Sequence, residues 1–276
     1  MPDSVNLLGS LGNIALQARL ALRCLPKGLT ADGHPQRFYF VISSLLALSC
    51  SDRPTHMTKT ALIVVDVQND FCKGGSLEVP DGDAVVPVIN SLREELSPVT
   101  SLVCLTQDWH PPGHTSFQST HASEGAKLFQ PFKLEDGTEQ MMWPDHCVQG
   151  TRGAQFNDGL IIKSTDKIIK KGTDLKVDSY SGFFDNNKIC QTDLDPILKA
   201  AQIGRVIVVG LAFDYCVGFT ALDAVGLGYD VIVVEDATRP VASDSAAAMR
   251  TRLEKAGVKL MTAEEVESAA AKWSIR

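Results

Sequence analysis

An aspartate, a lysine and a cysteine each lie at or just beyond the end of a short apolar run that is typical of a buried strand. Asp66 ends the first run, Lys171 follows the third, and Cys216 comes a few residues after the fourth. A helix-prone stretch begins at Val217, so we expect Cys216 in the first turn of a helix, where the helix dipole favours a thiolate. A nearby carboxylate can carry the thiol proton, and a lysine near both groups would hold each in its anionic form. The three residue types therefore indicate covalent catalysis by a cysteine.

Each of the three residues also has a common structural explanation. A lone aspartate at a strand end is usually a capping or loop residue, a strand-end lysine is usually solvated, and a free cysteine is often part of a core. The polar neighbours Asp214 and Tyr215 argue against a purely apolar environment for Cys216. Because all three residues follow strands, the set is a stronger indication of a site than any one member.

Residues that suit a metal ion gather after the second apolar run. Asp108 and His110 are two positions apart, so they share a face at an extended strand end, and His146 follows in the same long loop. One carboxylate and two imidazoles suit zinc, iron or manganese, and three protein ligands leave positions for water and substrate. His114 is a further candidate, either as a ligand or as a support for one. The alternative is a group of surface histidines on a flexible loop.

Strand-like and helix-like segments alternate from residue 57 onward. We predict strands at 61–65, 102–106, 167–170, 206–209, 231–234 and 258–260, and helices at 84–96, 217–227, 243–256, from Asp195-Pro196 and up to about Trp273. Asp195 and Ser243 are expected to cap two of these helices. The alternation predicts an α/β fold, a doubly wound parallel sheet with helices on both faces. The segment from 108 to about 159 is predicted as a long loop, a length that is usual only in functional loops.

The composition places limits on the class of protein. The chain has 276 residues, 44% of them hydrophobic and 21% charged, which suits one large core, and we predict a single domain over 57–276. A net charge of −7 without any basic run argues against a nucleic-acid partner. Seven cysteines without disulfide-like spacing favour a reducing compartment, and we predict the cytoplasm. The sequence does not decide whether the chain forms a homo-oligomer.

The first 56 residues lack the alternating pattern. Their apolar stretch, 38–49, is short for a membrane span and begins unusually far from Met1 for a signal peptide. Scattered basic residues upstream leave a targeting segment open as an alternative. Met57 lies close before the first strand, as a natural start would. We therefore predict that 1–56 form an extension with no folded role and no membrane span. The sequence does not decide whether these residues are translated in the cell.

Five segments together resemble a known family. They are Val65–Phe71, Asp108–Pro111, Trp143–Val148, Lys171-Gly172 and Gly210–Val217. The aspartate, lysine and cysteine are similar to those of the isochorismatase-like cysteine hydrolases. The Asp-Trp-His segment and the Pro-Asp-His-Cys-Val segment narrow the resemblance to the group of nicotinamidases and pyrazinamidases. The resemblance covers residues 60–260 and leaves 1–56 without a counterpart.

The resemblance implies further features of the fold and the site. The parallel sheet would have six strands in the order 3-2-1-4-5-6, with Asp66 and Cys216 on either side of the switch point. The peptide bond between Leu211 and Ala212 would be cis, and the backbone amides of Ala212 and Cys216 would form an oxyanion hole.

The activity that the resemblance implies is the hydrolysis of nicotinamide, a small-molecule substrate, to nicotinate and ammonia, a reaction of NAD salvage. One divalent metal ion, zinc first with iron or manganese as alternatives, would be held by Asp108, His110 and His146 and would orient the pyridine ring. The walls that pack against the ring would be Phe71, Leu77, Trp143 and Tyr180.

Other functions compete with this one. A related amidase of the same superfamily would act on a different small amide. A dinucleotide-binding oxidoreductase is disfavoured because no Gly-x-Gly-x-x-Gly follows the first strand. Isochorismate hydrolysis needs neither this cysteine nor this metal set, and a scaffold without activity would not need the complete set of catalytic residues.

Overall fold

The structure is a computed structural model that describes residues 58–273. The predictions for residues 1–56 lie outside this range, and the domain boundary at 57 stays a prediction. The strands are β1 Lys59–Val65, β2 Thr100–Asp108, β3 Pro131–Lys133, β4 Glu139–Met141, β5 Lys167–Lys171, β6 Ile203–Leu211, β7 Asp230–Arg239 and β8 Lys259–Met261. The helices are α1 Val85–Glu95, α2 Leu194–Ala200, α3 Gly218–Gly226, α4 Ser243–Ala256 and α5 Ala263–Trp273.

Six of these strands form one parallel sheet in the order β5-β2-β1-β6-β7-β8. The short strands β3 and β4 pair with each other as an antiparallel hairpin outside the sheet. Without the hairpin, the order becomes 3-2-1-4-5-6 in chain sequence, so the predicted topology is confirmed. The switch point lies between β1 and β6, where β1 leads on to β2 on one side and β6 to β7 on the other.

The central strands are apolar on both faces because each face is covered by helices. In β1, Leu62 and Val64 belong to one hydrophobic core, whereas Ala61, Ile63 and Val65 belong to the other. Successive side chains of a strand point to opposite faces, so an unbroken apolar run is what a strand between two layers needs. Helices α1 and α5 supply buried residues to the first core, and α2, α3 and α4 supply them to the second.

Three local predictions were wrong. Helix α2 begins at Leu194, with Asp193 and not Asp195 at the capping position, and the backbone N–H of Leu194 donates to Thr192 Oγ1 at 3.1 Å. Asp195 lies in the first turn and accepts a hydrogen bond from the Tyr229 hydroxyl at 2.8 Å. Ser243 is the first residue of α4, and Ala242 occupies the capping position. The predicted long loop contains β3 and β4, whose three-residue strands are too short to give an alternating pattern.

Two further observations bear on the predicted environment. Among residues 58–273, no helix combines the length and apolar character needed to cross a bilayer. The cysteines within this range, at 72, 104, 147, 190 and 216, are all free thiols, as their spacing predicted.

Candidate active site

Asp66 is the residue directly after β1, and it is fully buried. Its φ of 47° lies in the left-handed region, which aspartate tolerates better than most residues. The side chain is held from the neighbouring strand, because the Thr106 hydroxyl donates a hydrogen bond to Asp66 Oδ1 at 2.7 Å. The other carboxylate oxygen, Oδ2, is 2.8 Å from Lys171 Nζ. The end of β1 therefore aims one oxygen at a buried lysine.

Lys171 is the last residue of β5 and connects the acidic residues with the cysteine. Its Nζ donates hydrogen bonds to Asp108 Oδ1 at 2.6 Å, to the Ser179 carbonyl at 2.8 Å and to Cys216 Sγ at 3.4 Å. Its side chain is fully buried. The predicted group of aspartate, lysine and cysteine thus meets in three dimensions, although the sequence separates its members by up to 150 positions.

Cys216 lies in a single π-helical turn, Phe213–Val217, that leads into α3. The thiol is buried, and its sulfur lies within 4.8 Å of carboxylate oxygens of Asp66 and Asp108. The Leu211–Ala212 peptide bond before this turn is cis, as the resemblance implied. Ala212 lines the same pocket as Cys216, and the oxyanion role of their amides stays a prediction.

The helix dipole is not the main influence on the Cys216 thiol, because burial acts against the thiolate. Burial raises the pKa of Cys216 well above its ordinary value, and the attraction of Lys171 does not offset it. Burial likewise raises the pKa of Asp66 against the opposing charge of Lys171. Burial alone would lower the pKa of Lys171, but the charges of Asp108 and Asp66 outweigh it and raise this pKa. The resting thiol therefore keeps its proton beside a carboxylate of increased basicity.

The three predicted metal ligands also come together. Ligand atoms of Asp108, His110 and His146 all lie within 4.8 Å of one another, and the three residues are buried. His110 Nδ1 donates to the Gly172 carbonyl and His146 Nδ1 to the Pro144 carbonyl, each at 2.8 Å. Since the Nδ1 atoms carry the protons, both Nε2 atoms have lone pairs available for a cation.

The chemistry of this group fits a divalent cation. Among the described residues, His110 Nε2 is buried without a hydrogen-bond partner. Asp66 and Asp108 bring two carboxylates against one ammonium, that of Lys171, and a cation would offset the excess negative charge. Burial lowers the pKa of His146 to about 4, so its ring is neutral at neutral pH, as a ligand must be.

Two neighbours fix the shape of this group. Gly172 has a φ of 62°, and a Cβ there would lie 2.4 Å from His110 Cε1, so only glycine fits after Lys171. His114 stacks on His110 with 4.1 Å between ring centroids. His114 Nδ1 lies 2.7 Å from Ser116 Oγ and 3.3 Å from the Ser116 backbone nitrogen. Ligand atoms of His110, His114 and Asp178 also lie within 4.8 Å of one another, so His114 stays a candidate both as a ligand and as a support for His110.

A pocket opens beside Cys216 and two of the predicted metal ligands, Asp108 and His146. The four predicted wall residues, Phe71, Leu77, Trp143 and Tyr180, all line it. Trp143 Nε1 donates to the Tyr180 hydroxyl at 3.3 Å, which links two of the walls. The pocket is mostly apolar, and its polar lining comes from a few side chains, among them Asp108, His146 and Asp178, as is typical of a site for a small aromatic ligand.

Several residues of the site were not predicted. Asp178 and Tyr215 line the pocket, and Thr106 holds Asp66. Gln68 pins the backbone of Asp108 through two hydrogen bonds of 2.8 Å each. The sequence could have predicted Thr106 as a site residue, since it lies two positions before Asp108 and therefore shares its face of β2. No sequence pattern predicts Asp178, because it lies in an irregular segment.

The chain is similar to proteins of known activity. A model of the isochorismatase domain matches residues 60–265. The nicotinamidase of Escherichia coli is 48% identical over 185 residues, which cover 67% of this chain and 85% of that protein. The solved structure of a nicotinamidase and pyrazinamidase from Acinetobacter baumanii is 39% identical, with a TM-score of 0.71 over 78% of this chain and 100% of that one.

Two other similar structures contain ligands. The yeast nicotinamidase bound to the inhibitor nicotinaldehyde is 31% identical, with a TM-score of 0.69 over 74% of this chain and 99% of that chain. The pyrazinamidase of Pyrococcus horikoshii in complex with zinc is 33% identical, with a TM-score of 0.61 over 74% of this chain and 99% of that chain.

Proposed function

Because the chain belongs to the isochorismatase family, and within it to the nicotinamidases, we propose that it hydrolyses nicotinamide to nicotinate and ammonia through a nucleophilic Cys216. The observation that carries this proposal is the contact of Lys171 Nζ with Asp66, Asp108 and Cys216 at the wall of an apolar pocket. This arrangement supplies a nucleophile, a base and a charge that stabilises both. The reaction belongs to NAD salvage.

In the first half of the reaction, Asp66 accepts the thiol proton as Cys216 Sγ attacks the carboxamide carbon. The raised pKa of Asp66 makes its carboxylate a better acceptor for this proton. Lys171 stabilises the negative charge as it moves from the carboxylate to the sulfur. Backbone amides of Ala212 and Cys216 are proposed to bind the oxyanion, and loss of one such donor would raise the barrier by roughly 3 kcal/mol. Asp66 then gives its proton to the departing amine, the C–N bond breaks, and a thioester remains.

In the second half, water attacks the thioester carbon and Asp66 again acts as the base. The C–S bond breaks, nicotinate forms, and the proton returns from Asp66 to the Cys216 sulfur. Phe71, Leu77, Trp143 and Tyr180 are proposed to pack against the pyridine ring and to exclude bulk water during both steps.

We propose one divalent metal ion, zinc first with iron or manganese as alternatives, held by Asp108, His110 and His146. The zinc-bound pyrazinamidase of Pyrococcus horikoshii supports zinc. When bound, the ion would supply a Lewis acid for the ring nitrogen of the substrate. Asp108 would then serve two purposes, because one of its oxygens already accepts a hydrogen bond from Lys171.

His146→Ala is expected to remove the metal and weaken nicotinamide binding together. The change deletes one of three ligands, while a partly buried histidine of the same segment, His121, is the matched control. Elemental analysis of the purified protein should find much less metal in His146→Ala and an unchanged amount in His121→Ala. Wild-type metal content in His146→Ala would overturn the ligand assignment.

Asp66→Asn is expected to lower kcat/KM by roughly 10²- to 10⁴-fold, because asparagine keeps the shape of the side chain but cannot take the thiol proton. Alkylation of Cys216 by iodoacetamide should slow in the same variant. The control is Asp158→Asn, which changes an aspartate whose side chain is 72% exposed and should leave both rates unchanged. Equal alkylation rates in Asp66→Asn and the wild type would argue against Asp66 as the base.

Ammonia release tests the proposed substrate directly. The purified chain should release one ammonia per nicotinamide, act on pyrazinamide, and leave aliphatic amides nearly untouched. A preference for another small amide would favour the alternative, a related amidase of the same family. The free cysteines support the proposed cytoplasmic location, and chromatography coupled to light scattering would decide whether the chain forms a homo-oligomer.

A further inference from the structure

A second cavity, of about 200 Å³, lies at the edge of the sheet opposite the catalytic residues. Its lining includes Arg93 at the end of α1, Thr100 at the start of β2, and Lys163, Thr165 and Asp166 just before β5. The two strands that begin here end at Asp108 and Lys171 on the far side. Along β2, the lining residues from Thr100 to Val103 lie roughly 17–26 Å from Asp108. It is therefore separate from the catalytic pocket.

The main feature of this cavity is a buried guanidinium with unused donors. The side chain of Arg93 is 4% exposed, and its Nη2 donates to Asp166 Oδ1 at 2.7 Å. Among the residues that the structure describes, Arg93 Nε and Nη1 have no hydrogen-bond partner. Asp166 Oδ2 already accepts the backbone N–H of Lys163 at 2.8 Å. The carboxylate is thus satisfied on both oxygens, while the cation has two buried donors left, which is costly without a ligand.

Other donors surround the same space. Thr100 Oγ1 is also buried without a partner in the described part of the chain. Lys163 and Thr165 line the mouth and are exposed, so they can turn towards a ligand. Two cationic side chains face one carboxylate, which leaves a net positive charge. Cationic and hydroxyl donors from separate segments suit an anion with several oxygens.

We propose that this cavity binds a small oxyanion of the phosphate class, with Arg93, Thr100 and Lys163 as its donors. A tetrahedral phosphate offers oxygens in several directions, whereas a planar carboxylate would leave some of these donors unmet. The bound anion would tie together the starts of β2 and β5, so it should stabilise the fold. This inference does not depend on the reaction at Cys216.

The test is calorimetric titration of the full chain with inorganic phosphate at constant ionic strength. Lys163→Gln and Thr100→Val are the informative variants, because removing Arg93 would leave Asp166 buried without its cation. We expect saturable binding to the wild type, about tenfold weaker binding to Lys163→Gln and several-fold weaker binding to Thr100→Val. Lys255→Gln, which removes an exposed lysine from α4, should bind like the wild type.

Thermal unfolding provides a second measurement. Phosphate should raise the Tm of the wild type and of Lys255→Gln more than that of the two cavity variants. A second titration uses a phosphomonoester, glycerol 3-phosphate. A site for free phosphate would bind inorganic phosphate more tightly, whereas a site for a phosphorylated metabolite would bind the ester more tightly. The proposal is overturned if millimolar phosphate shows no saturable binding, if both cavity variants bind as tightly as the wild type, or if acetate raises Tm as much as phosphate.

Discussion

Cys216→Ala is expected to abolish nicotinamide hydrolysis and to leave the fold intact. The change removes a sulfur atom that would form the covalent bond with the substrate, and it leaves Lys171 paired with Asp66 and Asp108. Loss of the nucleophile in enzymes of this type lowers kcat by about 10⁴-fold or more. Ammonia release and circular dichroism measure the two parts of this expectation.

The matched control for this variant is Cys190→Ala, which removes an exposed cysteine that does not touch the site. It should release ammonia at the wild-type rate. Substantial ammonia release by Cys216→Ala would contradict nucleophilic catalysis by this thiol. Loss of activity in both variants would show instead that the chain tolerates cysteine replacement poorly.

Lys171→Met is expected to affect both stability and activity. Lys171 is a fully buried cation between two buried carboxylates, and its removal leaves Asp66 and Asp108 without their partner. Breaking a buried ion pair from one side costs about 3–5 kcal/mol in the free energy of unfolding. Turnover should also fall by roughly 10²- to 10³-fold under conditions where the variant is folded, because the moving negative charge loses its stabilising group. Urea unfolding and ammonia release are the measurements.

Two further variants separate the structural and the chemical roles of Lys171. Lys170→Met alters the neighbouring lysine, which is exposed and lies over the ring of Trp109, and it should change stability by less than about 1 kcal/mol. Adding Asp66→Asn to Lys171→Met should regain part of the lost stability, since one unpaired charge is removed. It should not regain activity. Recovery of turnover in the double variant would contradict the catalytic role of Lys171.

The positions of the proposed catalytic residues were predictable because they follow from the topology. Lys171 ends a strand, Asp66 and Cys216 come after strands, and parallel strands of one sheet bring their carboxyl ends to one edge. The alternation of strands and helices therefore predicts their meeting, although no local pattern connects them. The resemblance to a known family added the strand order and the cis bond before Ala212, both of which the structure contains.

Other features depend on packing that no local pattern encodes. The raised pKa of Cys216 follows from the burial of its thiol, which outweighs the attraction of Lys171 and acts against the helix dipole. Asp193 and not Asp195 occupies the capping position of α2, and the Asp195 carboxylate accepts hydrogen bonds from Tyr229 and Lys199 instead. The β3–β4 hairpin is stabilised by antiparallel pairing between two three-residue strands. Strands this short form because of their tertiary context, and the sequence shows no periodic pattern for them.

The most direct measurement is mass spectrometry of the protein after acid quenching during turnover of nicotinamide, with a parallel reaction that contains hydroxylamine. We expect one nicotinoyl group on the peptide that carries Cys216, and nicotinoyl hydroxamate formed at the expense of nicotinate. Ammonia release without any acylated Cys216 and without hydroxamate would contradict covalent catalysis at this residue.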